Sequence, residues 1–427
     1  MSELGESPLT AGDRQLSVAQ ARAAILQALV PVQGVESVPV TQALGRVLAA
    51  DVVSPIDVPA HDNSAMDGYA FDGAALRADA ATDLQVAATV YAGQPLAGAG
   101  AAGQAVRIMT GAVMPAGCDT VVPQELCQAE DGRVRIEPGV IRPGENRRRR
   151  GEDLARGSAA LVAGRVLRPA DLGLLASLGF AEVSVRRRLR VALFSTGNEI
   201  RDPGQPLDDG CIYDSNRYSL TGALQRLGVE VVDLGLVPDD PAALRAAFEQ
   251  AVAQADAVLT SGGVSVGDAD HTRELMAQLG DVAFWKVAMR PGRPFAFGPL
   301  RGTDAAGAAR TAWLFALPGN PVAALVTFYA FAREALQVLD GAKPQPLVTL
   351  SARSSGAIRK RPGRTEFQRG IVEPSPDGGW TVRLTGAQGA GILRSLSEAN
   401  ALVVLGHEQG SVAAGDAVEV WLFDGLV

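Results

Sequence analysis

Histidine and cysteine are both scarce: the 427 residues include 3 of each. His61, His271 and His407 stand in no nucleophile or metal-ligating motif, and Cys118, Cys127 and Cys211 match no zinc spacing. An odd count leaves one thiol over in any disulfide scheme, so the reading is reduced thiols in a cytoplasm. The net charge of −8 lacks the basic surplus that would make nucleic acid the main partner. An anionic ligand would need a local basic cluster. Uninterrupted apolar runs of the ~18 residues that a membrane span needs are missing. The longest candidate, Trp313 to Ala332, is cut by Pro318-Gly319-Asn320-Pro321. Met1 to Arg14 carries Glu3, Glu6 and Asp13 and no apolar core, which argues against a secretory signal. Met1 to Gln15 reads as a disordered leader.

What is present is ordinary globular material, 47% hydrophobic and 20% charged, in a chain too long for one core. Ser17 is placed to cap a helix to about Leu29, with Val18, Ala21, Ile25, Leu26 and Leu29 on one face. Strand-like pieces follow at Glu36 to Val40 and around Val47 to Val53. From Asp83 to about Pro138, short alternating strands with Gly and Pro turns predict a small β domain. A helix at Pro169 to Leu178 and a strand at Ala181 to Val185 precede Arg186-Arg187-Arg188, which reads as a linker. Leu189 to about Leu339 alternates strands and helices, which implies right-handed βαβ units and a mostly parallel sheet. Arg301 to Arg310 reads as a mobile hairpin tip. After the linker Lys343-Pro344-Gln345-Pro346, strands dominate and predict a C-terminal β domain. The fold class is α/β plus β.

The α/β region concentrates the chemistry. Ala257 to Thr260 is apolar without alternation, as in a strand covered on both faces. It runs into Ser261-Gly262-Gly263-Val264-Ser265-Val266-Gly267-Asp268-Ala269-Asp270 and then a helix from about Thr272. Glycines at that end let backbone N–H groups approach an anion, at the sheet edge where such folds bind ligands. Asp268 stands where a Walker A loop needs lysine, so this is a phosphate cradle without a P-loop lysine, or simply a tight connection. Other strand ends deliver Ser195-Thr196-Gly197-Asn198-Glu199, Pro238-Asp239-Asp240-Pro241, then Lys286, Arg290 and Arg293, and Pro318-Gly319-Asn320-Pro321. Asp240 before Pro241 has the spacing of a helix N-cap, which leaves Asp239 without a structural duty. Asp270 is suited either to capping the next helix or to chemistry. Lys286 ends a strand that otherwise reads as buried, a costly place for a lysine without anionic company. Glu199, Asp239 and Asp270 with Lys286, Arg290 and Arg293 on one rim suit a phosphorylated substrate and a hard divalent ion such as Mg2+.

Two loops stand apart. Pro55 to Ala70 holds Asp57, Asp62 and Asp67; Asp62 and Asn63 also fit Asx-turn capping, whereas Asp67-Gly68 looks more like a presented carboxylate. Ile141 to Asp153 is the densest charge cluster, and its ending Gly151-Glu152-Asp153 suggests a turn with Asp153 close to positive partners.

Taken together, seven stretches resemble the molybdopterin molybdenumtransferases, relatives of the C-terminal domain of gephyrin. They are Asp62–Ala70, Ile108–Ala112, Arg149–Asp153, Phe194–Glu199, Ser261–Gly267, Pro291–Gly298 and Leu317–Val322, in the family's order, and the likeness spans Leu16 to the end. It implies an elongated four-domain homodimer with its site in a cleft between subunits, the β domain of one chain presenting Asp67 and Thr110 to the α/β domain of the other. The implied partition is residues 16–34 and 189–342 (α/β, substrate-binding), 35–53 and 139–188 (linking), 54–138 (β) and 343–427 (C-terminal β). The implied reaction takes adenylated molybdopterin and molybdate, hydrolyses the adenylate with Mg2+ and releases AMP. Implied partners are a molybdopterin adenylyltransferase and acceptor molybdoenzymes, with neither nucleic acid nor membrane. Positions carried over are Asp67, Thr110, Asp153, Glu199, Asp239, Asp270, Lys286, Arg293 and Arg369. The roles expected are a phosphate cradle at Ser261, Gly262 and Gly263, metal or water at Glu199, Asp239 and Asp270, and anion binding by Lys286, Arg290, Arg293 and Arg369, with Pro318 and Pro321 against the substrate. Two positions depart from the pattern: Arg290 where lysine is common, and Ala390 where serine is. The latter puts the molybdate pocket in question and leaves Ser395 or Ser397 to take over. Competing readings are a same-fold scaffold with decayed catalysis and a phosphotransferase on a small nucleotide.

Overall fold

The computed structural model describes residues 15–98, 103–263, 270–345 and 347–423, and for 270–274 the backbone only. Its centre is a seven-stranded sheet built from β1 (Gln15–Leu16), β2 (Arg190–Thr196), β3 (Glu230–Val237), β4 (Ala257–Ser261) and β5 (Ala283–Val287), joined, after the short β6 (Met289–Arg290) of another sheet, by β7 (Pro294–Thr303) and β8 (Ala309–Leu317). The order is β1-β5-β7-β8-β4-β2-β3. All neighbours are parallel except those of β7, which runs antiparallel to both β5 and β8. The carboxyl ends of the other strands therefore share one rim, and the amino end of β7 joins them there.

Strands without alternation are buried on both faces because helices cover both. On one face α1 (Val18–Ala28), α2 (Asn216–Arg226) and a long apolar helix pack over Val191, Leu193, Leu259 and Phe315. On the other, α3 (Pro241–Gln254) and α4 (Asp270–Leu279) cover Ala192, Phe194, Val258 and Leu314. Helix α1 opens with the capping box of Ser17 and Gln20 and sends Ala21 and Ile25 into this core. The long helix, Pro321–Leu339, is apolar over 19 residues and mostly buried. Trp313 to Ala332 is thus two elements, a strand ending at Leu317 and a helix starting at Pro321, and burial within this core accounts for the helix's hydrophobicity.

Three expectations change, and the hairpin tip expected at Arg301 to Arg310 is found. Gln15 is not part of a leader: it pairs with Lys286 as β1, while 1–14 lie outside the described residues. Lys286 is exposed, although the strand around it buries Trp285 and Val287 on the opposite face. Arg301 to Arg310 is the end of a long hairpin, turned by Asp304, whose Oδ1 accepts the N–H groups of Ala306 and Ala308. Arg187 is anchored, not a bare linker, donating two 2.8 Å bonds to buried Asp256.

Separate hydrophobic cores organise the rest. Val35–Pro39 pairs antiparallel with Glu182–Arg186 over one small core, and a six-stranded sheet with a core on each face spans Gly68 to Ile136. Near the C-terminus β9 (Thr349–Ser354), β10 (Thr365–Pro374), β11 (Trp380–Leu384), β12 (Ala401–Leu405) and β13 (Ala417–Leu422) form a sheet that closes on itself through β10–β12. Strand β6 pairs with β10, Met289 opposite Thr365 and Arg290 opposite Glu366. That strand pair ties the barrel to the rim of the central sheet.

Candidate active site at the carboxyl rim

A cavity of about 1100 Å3 opens where the carboxyl ends of β2, β4 and β8 meet the barrel. One end is acidic. Glu199 and Asp239 both line it, and the Asp239 amide donates to Asn198 Oδ1 at 3.2 Å. Partial burial, and then the like charge of Glu199, push the Asp239 carboxyl above its usual range. Its neighbour Asp240 turns away as the cap of α3, accepting the Ala243 N–H at 2.9 Å before Pro241. Asp239 is thereby left facing the cavity.

The floor is glycine-rich for steric reasons. Gly262 has φ +95°, and a Cβ there would sit 2.6 Å from the Thr196 carbonyl oxygen. Its N–H donates to the Leu317 carbonyl at 3.1 Å, so the amide of Gly262 serves the sheet and is not offered to an anion. Ser261 Oγ accepts from Asn216 Nδ2 at 2.7 Å, and the same amide donates to the Gly319 carbonyl at 2.6 Å. Asn216 thus clamps the ends of β4 and β8. Pro318 and Gly319 line the cavity, but Pro321 instead begins the long helix, the place where a missing N–H costs nothing.

The other end is cationic. Arg290 and Arg293 flank a Pro291-Gly292 turn in which a Cβ on Gly292 would meet Thr327 Oγ1 at 2.3 Å. Among the described residues neither arginine has a carboxylate partner. The barrel adds Arg364, Gln388 and Ala390 to the same wall. The Ala390 carbonyl accepts the Val322 N–H at 3.0 Å, a backbone duty that needs no hydroxyl.

Other expected residues lie elsewhere. Lys286 is exposed on the face that α3 and α4 cover, outside the cavity wall. Arg369 is 0% exposed; Nε donates to Ser395 Oγ, Nη1 to the Gln388 carbonyl, and Nη2 to those of Ala387 and Gly389. It is the frame of the 387–391 loop, with four of its five N–H donors given to that loop and to Ser395. Asp67 and Thr110 meet each other in the β unit, outside this cavity. Asp67 Oδ1 accepts the Thr110 N–H at 2.6 Å and its hydroxyl at 2.7 Å, and these bonds hold the carboxyl below its usual range. Asp153 makes no ion pair among the described residues; Arg150 bonds Asp57 through Nε and Asp62 through its amide. Residues 264–269 and the Asp270 side chain lie outside what is described, although Asp270 starts α4. No three His, Cys, Asp or Glu side chains converge on a metal site among the described residues. The Glu199–Asp239 pair fits an ion that completes its shell with substrate oxygens and water, not a closed protein cage.

Asn216, Gln388 and Arg364 escape sequence reading. None of the three stands in the seven stretches that carry the resemblance. Only the cavity that they line together distinguishes them. A second cavity, about 920 Å3, lies at the opposite edge of the sheet, but most of its arginines are matched, Arg187 and Arg310 by Asp256 and Arg190 by Glu230.

Comparison with known proteins decides the lineage. Residues 16–179 match the MoeA N-terminal region (domain I and II), 192–338 a probable molybdopterin binding domain, and 351–423 the MoeA C-terminal region (domain IV). A molybdopterin molybdenumtransferase of Haemophilus influenzae is 42% identical over 414 residues, covering 96% of this chain and 100% of its own. The chain belongs to the molybdopterin molybdenumtransferase family. Molybdopterin molybdenumtransferase 2 of Mycobacterium tuberculosis is 37% identical, covering 90% of this chain and 94% of its own. The crystal structure of the molybdopterin biosynthesis moeA protein from Pyrococcus horikoshii OT3 superposes with a TM-score of 0.81 at 28% identity, over 96% of this chain and 100% of that one. In this family of transferases the rim cavity is the natural place to look for chemistry.

Proposed function

We propose that this enzyme inserts molybdenum from molybdate into adenylated molybdopterin, hydrolysing the adenylate with Mg2+ and releasing AMP and the molybdenum cofactor. The observation that carries the reading is the polarity of one cavity, with Glu199 and Asp239 at one end and Arg290, Arg293 and Arg364 at the other. A substrate whose phosphates run from a divalent ion to a cationic wall matches that order. At ~4 Å and an effective dielectric near 20, each cation–anion pair contributes about 4 kcal/mol of gross attraction, much of it cancelled by desolvation, so several cations act together.

Bound between Glu199 and Asp239, Mg2+ would neutralise phosphate oxygens and leave the phosphorus open to water. The chain's own residues supply the rest. Asp239 and Glu199 would hold the ion and orient the attacking water. Asn216 fixes Ser261 and Gly319 as a floor, and the arginines hold the oxyanions in place. Asp270 would complete the acidic end, and Lys286 would add charge from outside the wall. Asp67, Thr110 and Asp153 enter from a second copy in a homodimer, since none lines the cavity of their own chain. The adenylate comes from a molybdopterin adenylyltransferase and the product goes to acceptor molybdoenzymes in the cytoplasm. The carboxylates facing the cavity argue against a scaffold with decayed catalysis.

The test is incubation with adenylated molybdopterin and molybdate, following AMP release with and without Mg2+. Stoichiometric AMP that needs both Mg2+ and molybdate is the expected result. Molybdenum insertion without AMP release would overturn the adenylate reading, and release unaffected by chelation would remove the metal.

A further inference from the structure

We infer that Arg217 is a positioning residue for the acidic end of the cavity, setting the separation of Glu199 and Asp239 by gripping the two backbone segments that carry them. The ion those carboxylates would take rests on the function proposed above; the network does not. Glu199 belongs to the 197–213 excursion between β2 and α2, whose limbs pair in parallel, Ile200 with Ile212 and Arg201 with Tyr213. Asp239 lies just beyond the edge strand β3. One guanidinium joins the two. Arg217, in the first turn of α2, is buried, and each of its three nitrogens reaches a different carboxylate. Nη2 donates to Asp202 Oδ1 on the outgoing limb. Nε donates to Asp214 Oδ2 at 3.1 Å, where the returning limb ends, and Nη1 to Asp233 Oδ2 of β3 at 2.6 Å.

The partners are themselves fixed. Buried Asp214 accepts the Ser195 hydroxyl and the Arg217 N–H through Oδ1, both at 3.1 Å, which ties the end of β2 into the network. Asp233 Oδ1 accepts the Gly235 N–H at 2.9 Å, at the irregularity where β3 slips against β2 between Leu193 and Phe194. Tyr218 lies 5.2 Å from the guanidinium carbon, measured to the ring centroid. A bridge needed only for stability would balance one cation with one carboxylate; three around a buried guanidinium leave negative charge uncompensated. What the arrangement supplies is a rigid planar spacer between the excursion and β3. Mg2+ demands near-ideal octahedral geometry, so its affinity depends on how far apart the two segments hold their carboxylates.

The experiment measures Mn2+ binding to the full chain in the presence of AMP, by the electron paramagnetic resonance of the free ion, with the melting temperature of each variant alongside. Arg217→Lys keeps the charge but cannot span three carboxylates. It is expected to weaken Mn2+ by about 10–100-fold, the loss typical when a group that orients metal ligands is removed. Asp202→Asn, which leaves Arg217 its bonds to Asp214 and Asp233, weakens it in the same direction. Asp208→Asn removes an exposed carboxylate from the same excursion, one that pairs with Arg201 and not with Arg217, and stays within twofold of wild type.

Arg217→Gln gives a test of sign. If Arg217 acted only as a positive charge near the ion, removing that charge would tighten Mn2+ binding. If it sets the spacing, binding weakens. Mn2+ affinity within twofold of wild type in Arg217→Lys would overturn the assignment, as would tighter binding in Arg217→Gln or an equal loss in Asp208→Asn. An affinity that falls only in step with the melting temperature would also overturn it, leaving Arg217 a stabilising bridge. Wild type that binds no Mn2+ would overturn this inference together with the metal in the proposed reaction, whereas wild-type binding with unchanged variants overturns the inference alone.

Discussion

Replacing Arg369 by alanine removes a fully buried guanidinium that donates four hydrogen bonds to the segment between Ala387 and Ser395. Burial, with Arg290 as a second and smaller cause, pushes its pKa down to about 10. That depression corresponds to roughly 3 kcal/mol of opposing desolvation, which deletion relieves. Against it stand four charge-assisted bonds at about 1.5–3 kcal/mol each. The balance is a loss of roughly 3 kcal/mol or more, concentrated in the barrel. For a unit of this size that lowers the local melting transition by ~10 °C or more. A chain with several cores does not unfold in two states, so the assay must be local. Hydrogen exchange of residues 385–397, with calorimetry to find the transition that moves, meets that need. Arg369→Ala should lose protection there, and its anion affinity should fall only in parallel with that loss. A variant with wild-type protection and melting that no longer binds molybdate would refute the reasoning and make Arg369 a ligand after all.

Gly262→Ala places a methyl 2.6 Å from the Thr196 carbonyl at φ +95°, so AMP release should fall at least ~10-fold, with roughly 1–3 kcal/mol of strain visible in urea melts; wild-type turnover would show that the floor yields. Glu199→Gln removes one of the two carboxylates proposed to hold Mg2+, so the Mg2+ concentration that half-saturates AMP release should rise at least ~10-fold; an unchanged Mg2+ requirement would clear Glu199 of that role. Burial pushes Asp340 up to about 6 while it accepts the Leu189 N–H at 3.1 Å. A raised carboxyl gives stability that is fully present below its unfolded pKa and is lost as pH rises through about 6. Asp340→Asn should therefore stabilise by up to roughly 3 kcal/mol at pH 8 and by nothing below pH ~4; equal effects in denaturation curves at both pH values would sink it.

What could be read in advance follows from how local the cause is. Arg190 to Phe194 and Ala257 to Thr260 are legible as strands because burial on both faces leaves an apolar run without alternation. Strand β7 is not, since it opens at Pro294 and contains Gly298, Pro299 and Gly302. Those glycines answer neighbours far along the chain: a Cβ on Gly298 would meet the Asp281 carbonyl at 2.3 Å, and one on Gly302 the Val252 Cγ1 at 2.9 Å. Asp239 could be separated from Asp240 because Pro241 marks the helix start. Arg369 could not be separated from Arg364, because what distinguishes them is a loop some twenty residues downstream that consumes the donors of one and leaves those of the other. Ala390 contributes a carbonyl to Val322 and lines the cavity with a methyl group, so the wall offers no hydroxyl there.

The antiparallel strand and the barrel are linked parts of one solution. A wholly parallel sheet would bring only carboxyl ends to the rim. Reversing β7 brings its amino end there too, and the turn that precedes it carries Arg290 and Arg293. Strand β6 lies in that turn and pairs with β10, so the residues that aim two cations into the cavity are also those that dock the barrel. Glu366 lies at that junction, opposite Arg290 in register and bonded to Arg364. Cation placement and domain docking are therefore coupled: a change that frees the barrel from β6 dismantles the cationic wall, even with Glu199 and Asp239 untouched.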